Sequence, residues 1–294
     1  MSRLSIFKEK IIVFSLFLCA AFSIFITLGI VWVLFYDSYG FFKRVSMKEF
    51  LTGTQWTPLF ADPKFGVLPL VAGTFLTTVI ALTVALPVGL ITAIYISEYA
   101  PTKLREVLKP ILELLAAVPT VVYGYFALLF LTPWLQKFIP DLSGFNALSP
   151  GIIMGIMIVP YVSSVSEDAM RAVPMGIREG SYAMGATRLQ TSLRVVVPAA
   201  FSGIAAAFIM GISRAVGETM VVAIAAGMMP NWTLNPLEPV QTFTSYIVQV
   251  SLGDVPHGTL EYSTIFAVGL VLFVITLAAN VVSFFLRIKF RERY

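Results

Sequence analysis

The chain is short of charge, nearly free of cysteine and histidine, and lacks any lysine placed to hold a nucleotide; each shortage closes off a class of function. Of its 294 residues only 12% are charged, about half the share of a soluble domain. With 58% hydrophobic residues, much of the chain must meet lipid rather than water. A single cysteine, Cys19, and a single histidine, His257, leave no internal disulfide and no His/Cys metal cluster. No lysine follows a glycine, so a phosphate-cradling loop ending Gly-Lys-Ser/Thr is excluded and nucleotide chemistry has to come from a partner. The formal net charge of +4 does not signal nucleic acid. The basic residues stand in short clusters beside apolar runs, where they orient a chain in a membrane. No cofactor is expected.

What the chain does have is long apolar runs. A helix needs about 20 apolar residues to cross the hydrocarbon core, and six stretches qualify once their polar interruptions are allowed. They run from Ile11 to Tyr36, Leu68 to Ser97, Ile111 to Trp134, Leu148 to Val165, Ala199 to Met228 and Thr264 to Phe285. The first is too long for a signal-peptide core and ends in Asp37-Ser38 without a small-residue cleavage site, so it reads as a retained helix. Pro87, Pro119 and Pro160 fall inside three of the runs. Proline in a membrane helix frees a carbonyl that only neighbouring helices or a cavity can satisfy, so helices packed on one another are expected there. Gly151 and Gly155 stand in GxxxG spacing, which suits close helix contact.

Lysine and arginine are shared unevenly between the connecting segments. Arg3, Lys8, Lys10, Lys103, Arg105, Lys109, Arg171, Arg178, Arg188, Arg194, Arg287, Lys289, Arg291 and Arg293 fall on one side. Lys43, Arg44, Lys48, Lys64 and Lys137 fall on the other, where the long loop from Met228 to Glu261 holds none. The bias places both termini of a multi-pass protein in the cytoplasm.

On that basic side, Met170 to Pro198 is the least hydrophobic long stretch. Pro174 suits the first turn of a helix and Gly185 its stop; Thr187-Arg188-Leu189-Gln190 then predicts a capping box opening a second short helix. Around the junction the residues are small: Gly180, Ser181, Ala183, Gly185 and Ala186. Such a surface lets another protein approach the backbone, and an ordinary connector explains it equally well.

The motif in this loop decides between the two. Glu179-Gly180-Ser181, three residues, Gly185, nine residues and Val195-Val196-Val197-Pro198 resemble the EAA motif of the permeases of ABC importers. The spacing of Glu, Gly and Pro is kept, with Gly and Ser in place of the two alanines. The resemblance implies that Glu179, Gly180, Ser181, Gly185 and Pro198 belong to a coupling loop that docks on a cytoplasmic ATPase.

In the fifth run, Arg214 and Glu218 interrupt an apolar stretch. Four residues apart, they are expected on one face of a continuous helix, deep enough that neither snorkels easily. A charge at the bilayer centre costs at least ~2.5–3.5 kcal/mol. Either the two form a packing ion pair, or they are a polar station on a translocation path. The planar fork of arginine matches phosphate oxygens, and a carboxylate beside it accepts a proton-bearing oxygen.

The segment Arg214-Ala215-Val216-Gly217-Glu218-Thr219-Met220 resembles the Arg-Ala-x-Gly-Glu-Thr-Met signature of the phosphate-specific (Pst) permeases, in which this Arg and Glu are implicated in phosphate passage. Ala117-Val118-Pro119-Thr120-Val121-Val122-Tyr123-Gly124 is similar to another segment of that family. The Leu68-Pro69-Leu70 run and Glu98-Tyr99-Ala100-Pro101 favour its C-type subunit over the A-type. The likeness covers about Phe65 to Phe285.

It implies an all-α polytopic membrane protein of six transmembrane helices: a peripheral first helix and a five-helix core like that of type I (MetI-like) ABC importers. The division expected is 1–64 for the first helix and its outer loop, then 65–294 for the permease domain, with its coupling loop at about 170–198. Phosphate is the implied cargo in the cell (inner) membrane. The implied partners are a second, similar permease (A-type), a cytoplasmic ATPase dimer and an extracytoplasmic phosphate-binding protein. Alternatives are a permease for sulfate, molybdate or a phosphonate, and a non-transporting sensor coupled to an ATPase. Glu113 and His257 read as solvated residues, and Glu167 and Asp168 as a helix end that is solvated or aids docking.

Overall fold

A computed structural model describes residues 3–289; Arg291 and Arg293 lie outside them. Among the described residues the chain forms helices and two isolated β-bridges, with no strand. The helices are α1 (Arg3–Phe42), α2 (Met47–Thr52), α3 (Leu68–Tyr99), α4 (Thr102–Ala117), α5 (Thr120–Gln136), α6 (Leu148–Arg171), α7 (Met175–Ala183), α8 (Arg188–Ala199), α9 (Phe201–Val216), α10 (Met220–Ala225), α11 (Phe243–Leu252) and α12 (Leu260–Lys289).

Four of them, α1, α3, α6 and α12, are long and apolar enough to cross a membrane alone. The remaining two expected spans are bent. Between α4 and α5 the axis turns by 85°, and between α8 and α9 by 74°. The run from Ile111 to Trp134 is therefore not one straight span. Pro119 forces the residue before it out of helical geometry: Val118 is extended (φ −62°, ψ 130°), and a helix restarts at Thr120. The spanning part is α5, 17 residues or about 25 Å at 1.5 Å per residue. α4, with Lys103, Arg105, Glu106, Lys109 and Glu113 along it, is an amphipathic helix turned 85° away from α5.

Proline leaves a second trace. Three single wide turns with i→i+5 hydrogen bonding occupy Tyr95–Tyr99, Ala127–Leu131 and Ser192–Val196. Each ends two residues before a proline: Pro101, Pro133 and Pro198. For Pro133 and Pro198, which stand in continuing helix, the ring clashes with the carbonyl four residues back, and a widened turn gives that carbonyl room; Pro101 instead follows extended Ala100, where α3 has ended.

The centre of the bundle is α3 laid along α6. Gly151 and Gly155 meet Ile80, Ala81 and Val84 so closely that a Cβ on either would lie under 3 Å from those residues; the GxxxG spacing marks this seam. Ala81, Ala85, Met154, Met157, Ile158 and Val162 fill it, with Val221 and Val222 of α10. At one end of the bundle, here the cap end, Phe41, Phe50, Trp56, Phe65 and Tyr246 pack edge to face, with Phe243 in the same cluster. The opposite end, the loop end, carries α7 and α8. The most apolar stretch of α1 has no buried residue, which is the peripheral first helix expected.

Candidate functional site

The fifth span breaks where its charges are. α9 stops at Val216, Gly217 and Glu218 turn back onto Ser213 and Ala215 (3.2 and 3.3 Å), and α10 begins at Met220. The break has local causes. Glycine is a poor helix former. The Glu218 carboxylate takes the Val221 N–H as a side-chain cap (3.3 Å), and the Thr219 hydroxyl donates to the Gly217 carbonyl (3.2 Å). Thr244 of α11 fastens the break by donating to the Glu218 carbonyl (2.6 Å).

Arg214 and Glu218 thus do not share a helical face, and among the described residues they form no ion pair; the expected pairing is corrected by the break. Arg214 sits in the last turn of α9, about 20 Å from its start at 1.5 Å per residue, where the exposed carbonyls of a helix C-terminus favour a cation. Its guanidinium lies over the Tyr161 ring of α6, 4.2 Å from the centroid. Nε is buried without a partner, and among the described residues no hydrogen bond occupies the rest of the group. It opens on a cleft of about 380 Å³, lined by Tyr161, Ala206, Met210, Ser213 and Asn280 among others. Glu218 is buried at 8% exposure, and its second carboxylate oxygen has no hydrogen bond among the described residues.

At the loop end, the expectations for Gly185 and the capping box hold, and that for Pro174 shifts by one position. α7 starts after Pro174, which is extended and precedes the helix rather than opening it. Gly185 takes φ +82°, and its N–H and that of Ala186 bond back to Tyr182 (2.9 Å) and Ser181 (3.2 Å), the paired C-terminal closure that glycine permits. Thr187 and Gln190 form the capping box (3.3 and 2.9 Å). Gly180 lies inside α7, and a Cβ there or at Gly176 would meet open space. Glu179 is exposed, Ser181 bonds Thr191 across the two helices (2.9 Å), and Pro198 stands far along α8 at the bend. Around them Met175, Tyr182, Met184 and Leu189 are exposed, Met184 at 88%. Apolar side chains ringing bare backbone outside the spans make a surface fit for a protein partner.

Two features of this end had no signal in the local sequence. Arg178 is buried (9% exposed). Its fork holds both oxygens of Glu98 (3.0 and 3.3 Å), while other N–H groups reach the Met170 (2.8 Å) and Val173 carbonyls. Glu167 is not solvated either: it is 1% exposed and pairs with Lys109 of α4 (3.0 Å), which also holds exposed Asp168 (2.8 Å). The Asp168 hydrogen bond, against the lowering effect of burial, holds the Lys109 ammonium above its ordinary value. Glu113 and His257 are exposed as expected.

A polytopic bundle with a broken span and an exposed apolar loop at one end is built as a membrane permease component. Residues 85–291 match the family described as binding-protein-dependent transport system inner membrane component, and the chain belongs to that family. It is 40% identical over 232 residues to the probable ABC transporter permease protein YqgH of Bacillus subtilis, covering 79% of this chain and 75% of the relative. It is 34% identical over 247 residues to the phosphate transport system permease protein PstC of Mesorhizobium japonicum (78% and 74%). It is 31% identical over 279 residues to the probable PstC of Methanocaldococcus jannaschii (88% and 87%). In fold it is similar to a chain of the bacterial alginate ABC transporter (TM-score 0.65, 17% identity, 96% and 95% covered). It is also similar to a chain of the MetNI methionine ABC transporter (0.54, 18%, 77% and 95%).

Proposed function

We propose that this chain is the C-type permease subunit of an ATP-driven phosphate importer. The observation that carries the reading is Arg214: a guanidinium well inside the bundle, free of hydrogen bonds among the described residues and facing a cleft. Ionisable groups at that depth mark substrate paths, and the free fork fits two oxygens of a phosphate. Glu218, held at the break by its cap to Val221, has one oxygen left to accept the proton of hydrogen phosphate. Sulfate brings no proton and meets a bare carboxylate. Relatives named PstC support the substrate and the subunit type.

Both termini lie in the cytoplasm by the lysine and arginine bias, which puts α7 and α8 on the ATPase side. The cleft at Arg214 opens on the bundle surface, where a second, similar permease completes the path. A phosphate-binding protein delivers to the cap end. ATP hydrolysis in a cytoplasmic dimer seated on Glu179, Gly180, Ser181 and Gly185 drives the alternation, and Pro198 marks where the loop passes that motion to α9. Residues 1–64 form the peripheral helix with its outer loop, and 65–294 the permease domain.

The test is labelled-phosphate uptake into vesicles carrying the whole assembly, with and without ATP and against excess sulfate. Uptake that needs ATP and is displaced by phosphate alone is expected. Uptake of sulfate in preference to phosphate, or no phosphate uptake by the intact assembly, contradicts the substrate.

A further inference from the structure

Arg178 precedes the docking motif by one residue, yet it faces the opposite way from it. While Glu179 and Gly180 are exposed, Arg178 is the buried residue of α7. Its guanidinium joins three elements. The fork closes on Glu98 at the end of α3, one N–H reaches Met170 in the last turn of α6, and another reaches Val173 in the link that follows. Glu98 is prepared to receive it: its side chain is 5% exposed, Ser97 donates to the same carboxylate (2.8 Å), and the residue lies in the wide turn Tyr95–Tyr99. A second arginine of the loop, Arg188, lies over the Tyr99 ring (5.7 Å). One residue from each helix of the loop thus meets the same turn of α3.

We infer that Arg178 and Glu98 form the strut by which displacement of the docking loop is passed to α3. Two parallel charge-assisted hydrogen bonds fix distance and orientation together, whereas an apolar contact slides. Movement of α7 therefore carries the end of α3, and α3 is packed along α6 through Gly151 and Gly155, so the central seam follows. Arg178 and Glu98 are positioning residues: neither faces the cleft at Arg214. The inference rests on the proposed docking role of α7, and its test reads motion as well as transport.

In the full assembly, with Cys19→Ala, spin labels are placed at Ala183→Cys on α7 and Ile91→Cys on α3, and their separation is measured with and without ATP. With the strut intact the separation is expected to stay constant through the cycle. In Glu98→Gln it changes on ATP addition, and phosphate moved per ATP hydrolysed falls about fivefold or more while ATP hydrolysis persists. Arg178→Lys keeps the charge and loses the fork; it serves where Glu98→Gln fails to assemble, and a smaller fall of the same kind is expected. A constant separation in the assembled variant with a transport ratio within about twofold of the parent overturns the strut. The separation responds to ATP whatever the cargo, so failure of phosphate transport in the parent leaves this measurement standing on its own.

Discussion

Arg178 and Arg214 are both arginines set among packed helices, and they differ in what their donors do. Those of Arg178 are engaged by a carboxylate and two carbonyls; the guanidinium of Arg214 rests on a tyrosine ring with an unpartnered Nε. A buried charge whose partners are all supplied by the chain is a fastener. One left with open donors has its partner still to come. The contrast teaches that depth alone does not identify a transport residue; the state of its hydrogen bonds does.

The largest effect is expected from removing the fastener. Arg178→Ala leaves the Glu98 carboxylate buried without its partner, a loss of about 3–5 kcal/mol. Thermal unfolding in detergent is expected to show it as lost assembly, while Arg214→Ala, which orphans no carboxylate, leaves the melting point nearly unchanged. If the two truncations destabilise alike, the distinction fails.

Glu218→Gln tests the carboxylate held at the break after α9. The amide oxygen still accepts the Val221 N–H, so the break is kept. Competition uptake is expected to show the preference for phosphate over sulfate falling about tenfold, the scale of one charged hydrogen bond. Unchanged preference would assign Glu218 to the cap alone.

Tyr161→Leu removes the ring under Arg214. A cation–π contact is worth about 0.5–2 kcal/mol, so uptake is expected to drop several-fold, with Tyr161→Phe close to the parent. Smallest is Thr187→Ala, which deletes one cap of α8 at a cost of about 1 kcal/mol. It is expected to lower ATP-driven uptake slightly, with no change in anion preference.

How much of this was legible depended on the range of the signal. Pro174, Gly185 and the Thr187–Gln190 box mark the ends of α7 and α8 because each acts on backbone within a few residues. The six apolar runs were readable by length alone, but length does not register a bend. Pro119 holds that information through its effect on Val118, while Gly217 followed by a capping Glu218 marks the separate break between α9 and α10. A count of apolar residues passes over both. The Arg178–Glu98 fork joins positions 80 residues apart, and nothing near either residue announces it. Arg178 looked like one more basic residue of a loop. Glu167 likewise reads locally as a helix end that is solvated or aids docking, and only α4 brings Lys109 across it.

In the proposed mechanism the open guanidinium of Arg214 receives the transported anion. ATP-driven phosphate uptake by assembled complexes carrying Arg214→Lys and Arg214→Gln tests it most directly. Reduced but measurable uptake is expected with lysine, which keeps the charge without the fork, and a loss of about 100-fold with glutamine. Uptake by the glutamine variant equal to that of the parent would make Arg214 a packing residue and move the anion path elsewhere in the bundle.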